Sequence, residues 1–141
     1  MSLRKLLPGC VLVSTLATAA RAYAGTYLDT AALLLDESRR GADFVMSHLG
    51  DVQLASLAHR LAEARIKLAR EIPVPKDADR AHPHFLLTLE VAERALAAAE
   101  DGESKRFVQL VLEARQEEQT FRAVLSQQHF TLPDVQRCEK K

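Results

Sequence analysis

Residues 85–99, FLLTLEVAERALAAA, decide the fold class of this chain. Phe85, Leu89, Ala92, Leu96 and Ala99 recur at steps of three and four, and Leu86 and Ala95 widen the stripe. That spacing lines one face of a helix of 3.6 residues per turn, whereas a strand would alternate apolar and polar side chains.

Three other stretches carry the same period. Upstream, Tyr27, Ala31, Leu34, Ser38, Ala42, Val45 and Leu49 form one stripe, with Asp29, Asp36, Arg40, Asp43 and Ser47 off it. A second stripe runs through Leu54, Leu57, Ala58, Leu61, Ala64 and Leu68 and stops before Pro73 and Pro75. Downstream, Phe107, Leu110, Val111, Ala114, Phe121, Val124 and Leu125 make the fourth, which fades near Gln128.

The punctuation between stripes is equally regular. Gly50 suits the left-handed residue that ends a helix, and Asp51 suits the cap that accepts a backbone N–H of the next. Residues 73–83, PVPKDADRAHP, have no apolar period and read as a loop; Pro83 opens a helix with His82 held extended before it. Asp101-Gly102-Glu103-Ser104 turns the chain again, with Asp101 or Ser104 as cap. Each half is thus helix, tight turn, helix and a proline-bearing exit. The expected fold is all-α, an antiparallel four-helix bundle built from two helical hairpins over residues 25–133, followed by a polar tail at 134–141. Burying a Leu or Phe contributes about 1.5 to 3 kcal/mol, so the large apolar side chains on these stripes are expected to suffice without a cofactor.

Residues 1–24 have the three-part layout of an export signal. Arg4 and Lys5 precede an uncharged stretch from Leu6 to Ala20, and Ala22-Tyr23-Ala24 places small residues where a signal peptidase reads. The 15 residues of the stretch, broken by Pro8-Gly9, are too few to span roughly 30 Å of hydrocarbon. Only two apolar or small positions precede Pro8-Gly9-Cys10, too few for a lipoprotein signal ending at Cys10. Cleavage after Ala24 is expected, giving a periplasmic or secreted protein with no membrane span. Three of the 19 basic residues (Arg4, Lys5, Arg21) and none of the 19 acidic ones lie in this segment, leaving 16 basic against 19 acidic and a formal charge of −3. Such a surface does not attract phosphate backbones, so no nucleic-acid partner is expected. Cleavage would also remove Cys10 and leave Cys138 alone in the tail, a candidate for a disulfide between chains.

The chemistry-bearing residues are sparse. His82 and His84 flank Pro83 at a loop–helix junction, with Asp77 and Asp79 close by; His82, His84 and Asp79 are the candidate metal ligands. Glu90 and Glu93, three apart, read as a solvated pair at the edge of the third stripe. His59 and Glu63, four apart, read as a surface pair contributing about 0.2 to 0.5 kcal/mol. The fourth stripe skips an apolar residue between Ala114 and Phe121, so Glu117 or Glu118 points inward, with Arg65 as a candidate partner. None of the five histidines follows a Glu by three residues, the pattern of di-iron bundles. CxxCH, HExxH, GxSxG and glycine-rich phosphate loops are absent. The sequence therefore reads as a non-enzymatic protein-interaction or structural module, self-associating or binding a protein partner. Leu35, Ile66, Leu87 and Val91, beside the main stripes, are expected either to form a second apolar surface or simply to widen the core face. The alternative is a metal- or small-ligand-binding bundle using His82, His84 and nearby carboxylates.

Overall fold

The computed structural model describes the backbone of residues 13–135 and the side chains of residues 24–135. Among these residues the chain is all-helical and contains no strand, consistent with a helical bundle. Its α-helices are α1 (Val13–Ser47), α2 (Val52–Glu71), α3 (His82–Glu100) and α4 (Ser104–Gln127), with a single 3-10 turn at Lys76–Ala78. The expected cleavage point after Ala24 falls within α1, whose first described buried side chain is Tyr27.

The caps explain where the helices stop. Asp51 accepts the Leu54 amide at 3.0 Å, and Gly50 takes a φ of 99° that a side chain would resist. After α3 the Glu103 amide bonds the Ala98 carbonyl and the Gly102 amide the Ala99 carbonyl, with Gly102 at φ 77°. This is a Schellman ending, so the turn is set by Gly102 and not by a capping side chain from Asp101 or Ser104. The 73–83 segment is also more ordered than its composition suggests. Ala78 and Ala81 are buried in the core, and His82 is already helical instead of extended.

α3 is the shared element. It packs along both α4 and α2, while α1 touches α2 and α3 more lightly and α4 hardly at all. Accordingly α3 is buried on most of its circumference, with Phe85, Leu89, Val91, Ala92, Ala95, Leu96, Ala98 and Ala99 all inside. The core has two main clusters. One gathers Tyr27, Leu35, Phe85, Leu89, Phe121 and Leu125; the other gathers Val45, Ala55, Ala62, Leu96, Phe107 and Val111. Phe85 and Phe121 meet with ring centroids 5.5 Å apart, in the range where aromatic pairs add to simple burial.

The stripes of α3 and α4 are buried as their periods predict, and that of α1 is buried up to Val45, with Leu49 exposed beyond the helix end, but α2 is turned. Its buried residues are Ala55, Ala58, Ala62, Ile66 and Ala69. Leu57, Leu61 and Leu68 face solvent at 58%, 49% and 47% exposure. The reason lies in α3, which presents Ala95, Ala98 and Ala99 to this seam. Two alanine faces let the helix axes approach closely, and that close packing excludes leucine.

Candidate functional site

Alanine packing brings the flanking polar residues of α2 and α3 within reach of each other. His59 projects from α2 between two carboxylates of α3. Its Nδ1 lies 2.7 Å from Glu100 Oε2 and its Nε2 2.7 Å from Glu93 Oε1. An ionised carboxylate only accepts, so the imidazolium, with an N–H on each nitrogen, satisfies both contacts. Desolvation draws the His59 pKa down, but the hydrogen bonds and charges of Glu100 and Glu93 outweigh it, and the net shift is upward. Hydrogen bonds donated by His59 and by Ser56 hold the Glu100 carboxyl below its ordinary range.

Glu63 lies one turn beyond His59 on the same face of α2. His59, Glu63 and Glu93 each place a ligand atom within 4.8 Å of the other two, and among the described residues they are the donors that do so. Next to Glu63 and Glu93 opens a groove of about 420 Å³, lined also by Ile66, Lys67, Arg70 and Glu71. Arg70 closes its far end by pairing with Glu90 at 2.8 Å.

A second feature lies on another face of the same helix. Leu57, Leu61 and Leu68, with Leu54 partly covered, run along the outer side of α2 at steps of three, four and seven. Gly41 of α1 approaches Arg65 of α2, and α1 also exposes Leu33 and Phe44. No family model, curated protein or solved structure matches this chain. The geometry must therefore carry the functional reading alone.

The other residues singled out by sequence are placed as follows. The Nδ1 of His82 accepts from the Tyr27 hydroxyl at 3.1 Å, and its ring packs beside Tyr27 and Phe85. Burial holds its pKa below the ordinary imidazole value. His84 lies 3.6 Å from Glu117, and Asp79 is exposed at the end of the 3-10 turn. The structure does not bring His82, His84 and Asp79 together as a donor group. Cys138 lies outside the described residues. Ser47 and His48 are in contact, but the hydroxyl and Nδ1 both lie 2.8 Å from the Phe44 carbonyl at the end of α1.

The inward carboxylate of α4 is Glu118, 5% exposed. Its partners are Arg122, which donates from Nε and Nη2 at 2.9 and 2.8 Å, and Arg39 of α1 at 3.7 Å. Arg65 instead lies against α1 near Gly41, where burial lowers its pKa against the opposing charge of Glu37. Asp36, read as off the first stripe, is buried too and lies 3.5 Å from both Arg39 and Arg40. Both carboxylates line the α1–α4 side, where sparse helix contact leaves room for arginines to reach in. Of the expected second apolar surface, Leu35, Ile66 and Val91 are buried core residues, and only Leu87 is exposed.

Sequence reasoning missed the His59 cluster because it read each helix separately. The available signal was Glu93 and Glu100 seven residues apart, hence on one face of α3, beside a partner helix carrying one histidine.

Proposed function

We propose that this chain is an exported, non-enzymatic bundle of two antiparallel helical hairpins that docks another protein through the outer face of α1 and α2. The observation that carries the reading is the inversion of α2, with alanines inside and leucines outside. Contiguous exposed apolar side chains on a small domain mark interaction surfaces, because each costs solubility unless a partner covers it. Leu54, Leu57, Leu61 and Leu68 follow the seven-residue repeat that a partner helix engages as knobs into holes.

The occupant we favour is an amphipathic helix of another protein, with acidic residues along one edge. Arg60 and Lys67 border the leucine stripe one heptad apart; Arg60 also lies near enough to Glu100 to act on its carboxyl, and Lys67 lines the groove beside Glu63. Pairing two copies of α2 would set these cations against each other, which disfavours self-association through this face. The residues before Gly25 support export, with the signal reading described above; among the described residues no helix is long and apolar enough to cross a membrane.

Two leucine-heptad peptides, one with glutamates and one with lysines at the flanking positions, test this by fluorescence anisotropy. The acidic peptide is expected to bind, and Leu61→Glu to weaken it at least tenfold; the basic peptide is expected not to bind. Equal binding of both peptides, binding of neither, or a dimer that Leu61→Glu dissociates would each overturn the reading. Amino-terminal sequencing of the exported chain should give Gly25 as its first residue.

A further inference from the structure

We propose that His59, Glu63 and Glu93 form a binding site for a divalent transition-metal ion, with Glu100 orienting the imidazole. This does not depend on the docking reading, since none of His59, Glu63 and Glu93 belongs to the leucine stripe, although Lys67 borders both.

The donor set is already assembled. One nitrogen and two carboxylate oxygens come from two helices, and their ligand atoms lie within 4.8 Å of one another. His59 and Glu63 are four apart on α2, so one cation can contact both from the same side of the helix. Glu93 reaches from α3, which fixes the third donor independently of α2. Pre-assembly across two packed helices lowers the ordering cost of binding.

The contact on the other ring nitrogen strengthens the assignment. Metal-bound histidines regularly donate their second N–H to a carboxylate, which fixes the ring's orientation and raises its basicity as a ligand. Here Glu100 takes that position on Nδ1 at 2.7 Å and is itself held by Ser56. The nitrogen left to coordinate is Nε2, which faces Glu93 and Glu63. A cation would replace the Nε2 proton, opening the 2.7 Å contact with Glu93 to roughly 3.3 Å at tetrahedral zinc distances. Rotating the Glu93 side chain, 23% exposed, achieves this without moving a helix.

Charge and donor type select the ion class. Three carboxylates surround one imidazole, and once the ring gives up a proton the cluster holds three negative charges with a single neutral ring. A divalent cation offsets two of them. The imidazole favours zinc, copper, nickel or iron over magnesium or calcium, which prefer oxygen alone. Three protein donors leave at least one position for water or a further ligand. That position faces the groove beyond Glu63 and Glu93, where Lys67 stands near enough to the rim to meet an anionic ligand.

Zinc titration calorimetry on the full chain, with Cys10 and Cys138 replaced by serine, tests the site. One zinc per chain is expected, with a rise in melting temperature that chelator reverses. Cobalt(II) in its place should show the visible bands of a low-coordinate site. Because Glu63 takes no part in the hydrogen bonds of His59, Glu63→Gln should leave the metal-free melt unchanged while weakening zinc at least tenfold. Glu100→Gln should weaken it about 10- to 100-fold, and His84→Ala should not change it. No stoichiometric uptake, uptake insensitive to Glu63→Gln, or uptake lost in His84→Ala would overturn the proposal and leave His59 as an ionic clasp alone.

Discussion

The guanidinium of Arg65 lies over the backbone of α1 at Gly41, close enough that a β-carbon there would meet Nη1 at 3.6 Å. This is ordinary van der Waals distance, so a methyl group fits without displacing Arg65. Gly41 lies inside a helix with no need for an unusual φ, and alanine there costs less conformational entropy. We expect Gly41→Ala to stabilise the chain by about 0.5 to 1 kcal/mol in denaturant titration. A loss of stability would show that Arg65 has no slack.

The turned face of α2 makes a paired prediction. Ala62, 3% exposed, meets the alanine seam of α3, while Leu61 beside it is half in water. Ala62→Leu should destabilise by about 1 to 3 kcal/mol through overpacking, and Leu61→Ser should stay within about 0.5 kcal/mol of the parent. If the two effects were reversed in urea melts, the leucine stripe would be the buried one.

Glu118 and Arg122 allow the two sides of a buried ion pair to be separated. Arg122→Ala leaves the carboxylate buried with only the longer contact to Arg39, and should cost about 1 to 3 kcal/mol, discounted because Arg122 is half-exposed. Glu118→Met removes the charge and fills the space, and should be neutral or stabilising. Equal destabilisation by both would mean that the pair itself, and not the desolvated carboxylate, sets the energetics.

The Tyr27–His82 contact gives the pH dependence two opposite edges. Burial lowers the His82 pKa from 6.5, so in acid the unfolded chain takes up a proton before the native one. The native state therefore loses stability as pH falls below about 6.5. Burial raises the Tyr27 pKa from 10.0, so the unfolded chain ionises first in alkali, and stability falls as pH rises above that value. Thermal melts of His82→Gln and Tyr27→Phe should flatten the acid and alkaline edges respectively. His59, whose pKa is shifted upward, contributes with the opposite sign to His82, so the comparison with each variant isolates the group concerned.

How much of this was legible in the sequence depended on side-chain size. Where a stripe held Phe and Leu, as in α3 and α4, period alone gave the buried face, because those side chains gain most from leaving water. In α2 the same rule pointed to the leucines and was wrong by a part-turn. Ala55, Ala58 and Ala62 bury little area each, and their value appears only against the small residues of α3. The inward carboxylate of α4 was legible as a gap in the stripe at Glu117 and Glu118, yet its partner was not. Arg122 is one turn away on the same helix, whereas the expected Arg65 is held elsewhere by α1. Asp36 was read as off its stripe although Arg39 and Arg40 of its own helix pair with it, whereas the His59 cluster was missed because it depends on carboxylates that the neighbouring helix α3 supplies, and periodicity describes one helix at a time.

The position of His59 between Glu93 and Glu100 has a consequence for how α2 is aligned lengthwise on α3. Alanines are interchangeable, so a seam of Ala55, Ala58 and Ala62 against Ala95, Ala98 and Ala99 would look much the same after a slide of one helical turn, about 5.4 Å. A slide of that length would carry the imidazole off at least one of the two carboxylates that now bracket it. The polar contact thus works as a detent: it specifies register in a stretch where hydrophobic packing supplies cohesion but little positional information.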